Sequence, residues 1–174
     1  MTMRALETAR LHLRPLGAEH ETFYCQLYTD PLVMRHIALP LSADAAHRSF
    51  RVACRQAARQ PPQRRTWVMT EADTAVDIGL LALVDDPEAM GSEIGALLLD
   101  DWQNRGYAAE AIEALVAYAF RDLELAAVCT RHAGDNGPAK GLMRKLGFVA
   151  VVPDPRDGLV CRWRLTPAEW RPGS

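Results

Sequence analysis

"SEIGALLLDDWQNRGYAAEAIEALVAYAF", residues 92–120, joins an apolar run, a short polar turn and a long amphipathic segment. The apolar run predicts a buried strand, and apolar side chains at helical spacing then predict a helix over 104–121. A helix that follows a tight turn leaves its first N–H groups without intrahelical partners, at the positive end of its dipole. The turn is therefore predicted to bind an anion, above all a phosphate.

The turn contains residues that let a backbone approach a phosphate closely, since Gly106 has no side chain and Ala108 has only a methyl group. Two familiar phosphate loops are excluded. The chain has no GxxxxGK[ST] pattern, and this turn has one of the three glycines of a dinucleotide-binding turn. A nucleotide-type phosphate that is bound in another way remains the predicted ligand.

Composition excludes several classes of protein. The chain of 174 residues has 20 Lys and Arg against 22 Asp and Glu, which argues against nucleic acid as the main partner. Four scattered cysteines form no C-x-x-C pair, and the five histidines lack metal-ligand spacing, so we expect no metal site. No apolar run is long enough to span a membrane and the N-terminus lacks a signal-peptide core, so we expect a cytoplasmic protein without a membrane partner.

The pattern of elements predicts a mixed α/β fold in the order β-α-α-β-β-β-α-β-α-β-β. Strands are predicted at 10–16, 65–72, 75–86, 92–99, 126–132, 148–152 and 159–165, and helices at 18–30, 43–60, 104–121 and 134–146. The three consecutive strands in the middle predict an antiparallel meander, and Asp157-Gly158 predicts a turn before the last strand. Without repeats or a linker, residues 1–174 are expected to form one domain.

The turn 103–108, QNRGYA, matches the Q/R-x-x-G-x-G/A signature of the GNAT acetyltransferases, and the chain resembles that family almost from end to end. The segments LETARLHLRPL, DPLVMRHI, NGPAKGLMRKLGF and RLTPAEW are similar to the branch that contains the ribosomal-protein N-terminal acetyltransferases. This resemblance implies the GNAT fold, a central twisted mixed sheet of about six to seven strands flanked by about four helices.

The resemblance implies acetyl-coenzyme A as cosubstrate. Its pyrophosphate would lie on the turn residues Gln103, Asn104, Arg105, Gly106, Tyr107 and Ala108. The strand around Leu97, Leu98 and Leu99 would part from its neighbour, so that free backbone groups pair with the pantetheine arm and one N–H faces the thioester oxygen. Asn136 would contact the pantetheine or nearby backbone, while the residue pattern alone makes it the N-cap of a helix, and both roles are compatible.

Glu93 is the residue we expect to act as the catalytic base, because in several relatives a carboxylate near this place serves as the base. The alternative is a carboxylate at the rim of the site that only orients substrate or forms an ion pair. The proton donor to the leaving thiolate is open: many relatives carry tyrosine where this chain has Met143, and others carry serine where it has Ala139.

The function implied is an N-acetyltransferase that moves the acetyl group to a primary amine, either a protein N-terminal α-amine or a small molecule. Transfer would be direct, in a ternary complex, since no cysteine has the setting of a nucleophile. One alternative is an acyl-coenzyme A-binding sensor or subunit with weak catalysis. Another is an RNA-associated protein that uses Arg48, Arg51, Arg55 and Arg59, a stripe that more often marks a solvated face. The resemblance also suggests a homodimer, and acceptor and acyl-chain preference stay open.

Overall fold

A computed structural model describes residues 3–85, 91–152 and 160–171 of the chain. The strands in these ranges are β1 Leu6–Glu7, β2 Leu11–Pro15, β3 Arg64–Glu71, β4 Asp77–Val84, β5 Ser92–Leu98, β6 Val128–Ala133, β7 Val149–Ala150 and β8 Val160–Leu165. The α-helices are α1 Glu21–Thr29, α2 Pro31–Met34, α3 Ala43–Ala57, α4 Tyr107–Arg121 and α5 Gly137–Lys145. Single 3-10 turns, Ala18–His20 and Asp100–Trp102, precede α1 and follow β5.

One sheet contains all the described strands, in the order β1-β2-β3-β4-β5-β6-β8-β7. Neighbouring strands are antiparallel except β5 and β6, which run parallel. The predicted mixed α/β class and the β3-β4-β5 meander are therefore confirmed. The crossover from β5 to β6 passes through α4, as a parallel connection requires.

The sheet has eight described strands rather than the expected six to seven, because the two-residue strand β1 at one edge was not predicted. The four-residue helix α2 lies in a segment for which the sequence pattern predicts no helix. Asp30 explains it: its carboxylate accepts a hydrogen bond of 2.8 Å from Leu32 N, and Pro31 fits the first helical turn. The predicted turn at Asp157-Gly158 lies outside the described residues.

Each face of the sheet has its own apolar cluster. The face that carries α4 buries Leu115 and Ala119 completely in one cluster with Trp67 and Leu165, which confirms the predicted apolar side of α4. The opposite face packs against α1 and α3 through residues such as Tyr24, Phe50, Leu80 and Leu97. No helix among the described residues combines the length and apolarity that a membrane span needs.

Candidate active site

The turn before α4 has the backbone conformation that its sequence predicts. Gly106 is the N-cap and adopts φ 84° and ψ −3°, a left-handed conformation that favours glycine. The first hydrogen bond of α4 runs from Glu110 N to Gly106 O at 3.1 Å. The amides from Gly106 to Ala109 precede that bond, so they are the orphan donors at the positive end of the helix dipole.

Glu110 ties the β1–β2 turn to the start of α4. Its carboxylate accepts hydrogen bonds from Thr8 Oγ1 at 2.6 Å, Arg10 N at 2.8 Å and Arg10 Nε at 2.7 Å. Burial alone would raise the pKa of Glu110, but the hydrogen bonds from Thr8 and Arg10 outweigh it and hold the pKa below its ordinary value. Arg10 also donates to Arg105 O at 3.1 Å and lies over the Tyr107 ring at 4.4 Å, so this contact network fixes the turn from behind.

Gln103 fixes the other end of the turn. Its Nε2 donates to Leu98 O at 3.0 Å, and its Oε1 accepts from Arg35 Nη2 at 2.9 Å. Arg35 also pairs with Asp100 at 2.7 Å. The Gln103 side chain therefore links the end of β5 to the segment after α2, and its backbone N–H donates to Asp100 O at 3.1 Å.

The other four turn residues have different surroundings. Asn104 is exposed and adopts φ 59°, a conformation that asparagine tolerates better than most residues. Arg105 is exposed with its guanidinium 5.5 Å from the centre of the Trp102 ring. Tyr107 is buried, with 8% of its surface exposed, so its side chain is not available to a ligand at the start of α4, and its backbone amide is the group that remains. Ala108 lines the cavity described below.

Strands β5 and β6 pair at their beginnings and then separate. Their register pairs in the described chain are Ser92–Val128 and Glu93–Cys129, whereas β4 continues to pair with β5 as far as Leu98. A parallel ladder that stops after two pairs leaves the β6-facing edge of the rest of β5 without a strand partner. Backbone donors on that edge are available for a ligand.

Backbone direction decides which amides face this gap. Leu99 N donates to Ile78 O at 2.9 Å, so the Leu99 backbone faces β4. Because backbone groups alternate in direction along a strand, Leu97 also faces β4 and the amides of Ala96 and Leu98 face the gap. The amide of Leu99 is occupied, so Leu99 is not proposed as a donor to the pantetheine arm.

A cavity of about 750 Å³ runs through the gap, within the size range of small-molecule sites. Its lining from the α4 face comes from Ala108, Ile112, Ala139, Leu142 and Met143. Its lining from the α1 and α3 face comes from Tyr28, Arg64, Thr66, Leu80, Ala82 and Val84. The cavity therefore reaches both faces of the sheet, with the backbone of 93–97 between them. A second, separate cavity near Trp170 has only about 10 Å³ and is too small for a ligand.

Glu93 lies where the two strands part, on the wall of the cavity. Its side chain is 23% exposed, and its Oε1 lies 3.1 Å from Arg131 Nε. Arg131 lines the cavity as well. The structure thus places a carboxylate at the junction of the two halves of the cavity and gives it a half-exposed cation as its partner.

Helix α5 closes the cavity from one side. Asn136 Oδ1 accepts a hydrogen bond from Ala139 N at 3.1 Å, so the asparagine caps the helix, and it also lines the cavity. Ala139 and Met143 both line the cavity, and neither side chain carries an exchangeable proton. The two positions named as departures from the family pattern do face the ligand space.

Several lining residues with polar side chains were not identified as site residues from the sequence, among them Tyr28, Arg64 and His132. The ring of His132 is occupied, because Nε2 accepts from Trp163 Nε1 at 2.8 Å and Nδ1 lies 2.8 Å from Ala133 O. Since indole N–H can only donate, the ring is neutral with its proton on Nδ1. His132 therefore holds β6 against β8. Its pairing with Trp163 spans 31 residues and has no local sequence signal.

The cysteines do not form a nucleophilic site. Cys25 Sγ lies 3.6 Å from His47 Nδ1, but the same nitrogen is held by Glu21 at 2.8 Å. Burial, together with the nearby Glu21 charge, raises the pKa of the Cys25 thiol, which is the opposite of activation. None of the chain's four cysteines lines the cavity.

Comparison with known proteins gives the family. Residues 10–149 match the sequence model described as "Acetyltransferase (GNAT) domain". The FsC-acetyl coenzyme A-N(2)-transacetylase of Aspergillus fumigatus is 32% identical over 98% of this chain and 80% of its own length. The chain belongs to the GNAT acetyltransferase family. The family expected from the turn is confirmed, and the chain is an acetyl-coenzyme A-dependent acyltransferase.

Solved structures share the fold over nearly the whole chain. The acetyltransferase from Agrobacterium tumefaciens has a TM-score of 0.80 at 24% identity and covers 95% of each chain. RimL, a ribosomal L7/L12 alpha-N-protein acetyltransferase in complex with coenzyme A, has a TM-score of 0.80 at 14% identity and covers 94% of this chain and 98% of its own. These likenesses confirm the GNAT fold. Within the described residues, no group of three His, Cys, Asp or Glu side chains is placed to hold a metal ion.

Proposed function

We propose that this GNAT protein transfers the acetyl group of acetyl-coenzyme A directly to a primary amine, on a protein N-terminus or a small molecule. The observation that carries the proposal is the gap between β5 and β6, which has Glu93 at its apex and a cavity that opens to both faces of the sheet. Two substrates can then meet at the gap from opposite faces.

The α4 face is the proposed side for the coenzyme. Its pyrophosphate would accept hydrogen bonds from the amides of Gly106 to Ala109, where the helix dipole favours negative charge. The pantetheine arm would replace the missing strand along β5, beside the backbone of Ala96 and Leu98. One of those amides would face the thioester oxygen, and a donor of this kind is worth roughly 3 kcal/mol in oxyanion holes.

Glu93 is the proposed base, directly or through one water. The ammonium group first gives one proton to Glu93, and the neutral amine nitrogen then attacks the thioester carbonyl carbon to form the C–N bond. The C–S bond then breaks, and the second proton of the nitrogen passes through water to the thiolate of coenzyme A, since Ala139 and Met143 have none to give. Arg131 competes with the incoming ammonium group for Glu93, so binding of the amine exchanges one cation for another.

Direct transfer is favoured over a covalent acyl-enzyme by the setting of the cysteines. Such an intermediate needs a thiolate at the thioester, and no cysteine lines the cavity. The amine must therefore be bound while the acetyl group is still on coenzyme A.

The first test is thermal unfolding with acetyl-coenzyme A, followed by a screen of amines for thiol release and acetylated product. A ligand at a hundredfold excess over Kd adds roughly 2.7 kcal/mol to stability. The Glu93→Gln variant should keep the shift and lose transfer. A shift without transfer to any amine in the wild type would favour the sensor or subunit instead. The absence of any shift would refute the proposal.

A further inference from the structure

The acceptor half of the cavity contains an arginine whose charge no described carboxylate balances. Arg64 is the first residue of β3, is half-buried and lines the cavity. Its Nε donates to Thr66 Oγ1 at 3.2 Å, and none of the described ion pairs involves it. Its neighbours differ: Arg65 lies 3.7 Å from Asp85, and Arg131 is paired with Glu93. The two Nη groups of Arg64 are thus the cationic donors that a ligand would find.

Arg64 and Glu93 lie on the same face of the sheet. Arg64 is paired with Val84, and Val84 is paired with Glu93, so the three residues form one row across β3, β4 and β5. Side chains in one such row point to the same face, and two strand spacings separate the outer backbones by about 10 Å. The side chains of Arg64 and Glu93 both reach into the same cavity, so their charged ends can lie closer together than their backbones do.

The surface between the two charges is open and apolar. Val84, which lies between Arg64 and Glu93 in the row, and Ala82 next to it on the same face of β4 contribute aliphatic side chains to the cavity wall. A Cβ added to Gly95 would meet no atom within 4 Å, so the cavity wall beside Glu93 on β5 is also unobstructed. A ligand that binds both groups needs a positive group at Glu93 and a negative group at Arg64.

We infer that Arg64 binds the carboxylate of the acceptor, and that the acceptor is a small zwitterionic amine of the amino acid type. This inference rests on the proposed function and selects between its two acceptor classes. Guanidinium groups bind carboxylates through paired N–H donors, in a geometry that a planar carboxylate matches. A protein N-terminus does not fit in the same way, because its first carboxyl carbon is part of a peptide bond.

The test compares each common L-amino acid with its carboxamide as acceptor, by thiol release and mass of the product. The amide has the less basic amine, so intrinsic reactivity at neutral pH favours the amide. We expect kcat/KM for the preferred amino acid to exceed that of its amide by roughly 10- to 100-fold, the range of a hydrogen bond to a charged group. An aminoalkyl phosphate and a peptide with an acidic second residue serve as the other two arms.

Arg64→Gln should raise KM for the amino acid to the level of its amide and leave the amide kinetics unchanged. Arg51→Gln, on the exposed side of α3, is the control and should change neither. The coenzyme-induced thermal shift should be the same in the wild type and both variants, which also shows that each variant is folded.

Equal kcat/KM for acid and amide in the wild type would overturn the inference without harming the proposed function. A preference for the aminoalkyl phosphate, or acetylation of the peptide with no turnover of free amino acids, would overturn it as well. Transfer to none of these acceptors would overturn the inference alone, whereas no thermal shift with coenzyme A would refute the proposed function and this inference with it.

Discussion

Replacement of Gly106 by alanine should weaken coenzyme A binding far more than it weakens the fold. Gly106 adopts φ 84°, and an added Cβ would lie 3.3 Å from Arg10 Nη2. The substitution therefore strains the turn and pushes on the arginine that holds Arg105 O in place. Both effects move the amides that are proposed to bind the pyrophosphate.

The size of each effect follows from the structure. A left-handed conformation costs a residue with a Cβ roughly 1–2 kcal/mol, and in a chain of this size roughly 2–4 °C of Tm is lost per kcal/mol. Loss of one hydrogen bond to a charged phosphate raises Kd by roughly 10- to 100-fold. We therefore expect a small decrease in Tm and a large increase in Kd for coenzyme A.

Gly147→Ala is the matched control. Gly147 follows α5 at φ 79°, and an added Cβ there would meet no atom within 4 Å. It should lower Tm by a similar amount and leave the Kd of coenzyme A unchanged, as measured by calorimetric titration. If Gly106→Ala binds coenzyme A as tightly as Gly147→Ala does, the pyrophosphate does not lie on this turn and the reasoning fails.

Three further predictions concern the carboxylates and the cavity. Glu93→Gln should lower kcat by roughly 10²- to 10⁴-fold, the usual contribution of a general base, and leave the Kd of coenzyme A unchanged. Steady-state kinetics would show the loss. An unchanged kcat would make Glu93 a structural residue. Glu110 has a lowered pKa in the folded state, so the stability it contributes is present above the ordinary Glu pKa and is lost as pH falls through the folded pKa. Wild type should then exceed Glu110→Gln in Tm at pH 7, with the difference closing in acid, and a difference that does not change with pH would contradict the assignment. Gly95→Leu adds a side chain into open space, so it should leave Tm unchanged and raise KM for the amine; an unchanged KM would show that the amine binds elsewhere.

Local signals were sufficient to predict the turn and most elements of the fold. The run 92–99 and the helix after it agree with β5 and α4, because burial and helical spacing both act over a few residues. The helix begins at Tyr107 rather than at 104, since Asn104 and Gly106 both adopt positive φ. Apart from the presence of a glycine at 106, the local sequence pattern does not indicate these two conformations.

Other parts of the site depend on contacts between distant residues. The gap between β5 and β6 was expected from the family resemblance, and no property of either strand alone would have indicated it. Arg64 and Tyr28 reach the cavity because the Arg64 side chain and helix α1 lie on the same face of the sheet as the Glu93 side chain. The anchoring of the turn by Arg10 spans 95 to 100 residues of sequence, so only the folded chain shows it.

The structure of the complex with coenzyme A is the measurement that tests the account most directly. We predict the pyrophosphate within hydrogen-bonding distance of the amides from Gly106 to Ala109, the pantetheine arm beside the backbone of Ala96 and Leu98, and the sulfur in the gap near Glu93. Coenzyme A bound away from this turn, or a β5–β6 gap that stays empty at saturating coenzyme A, would contradict the account.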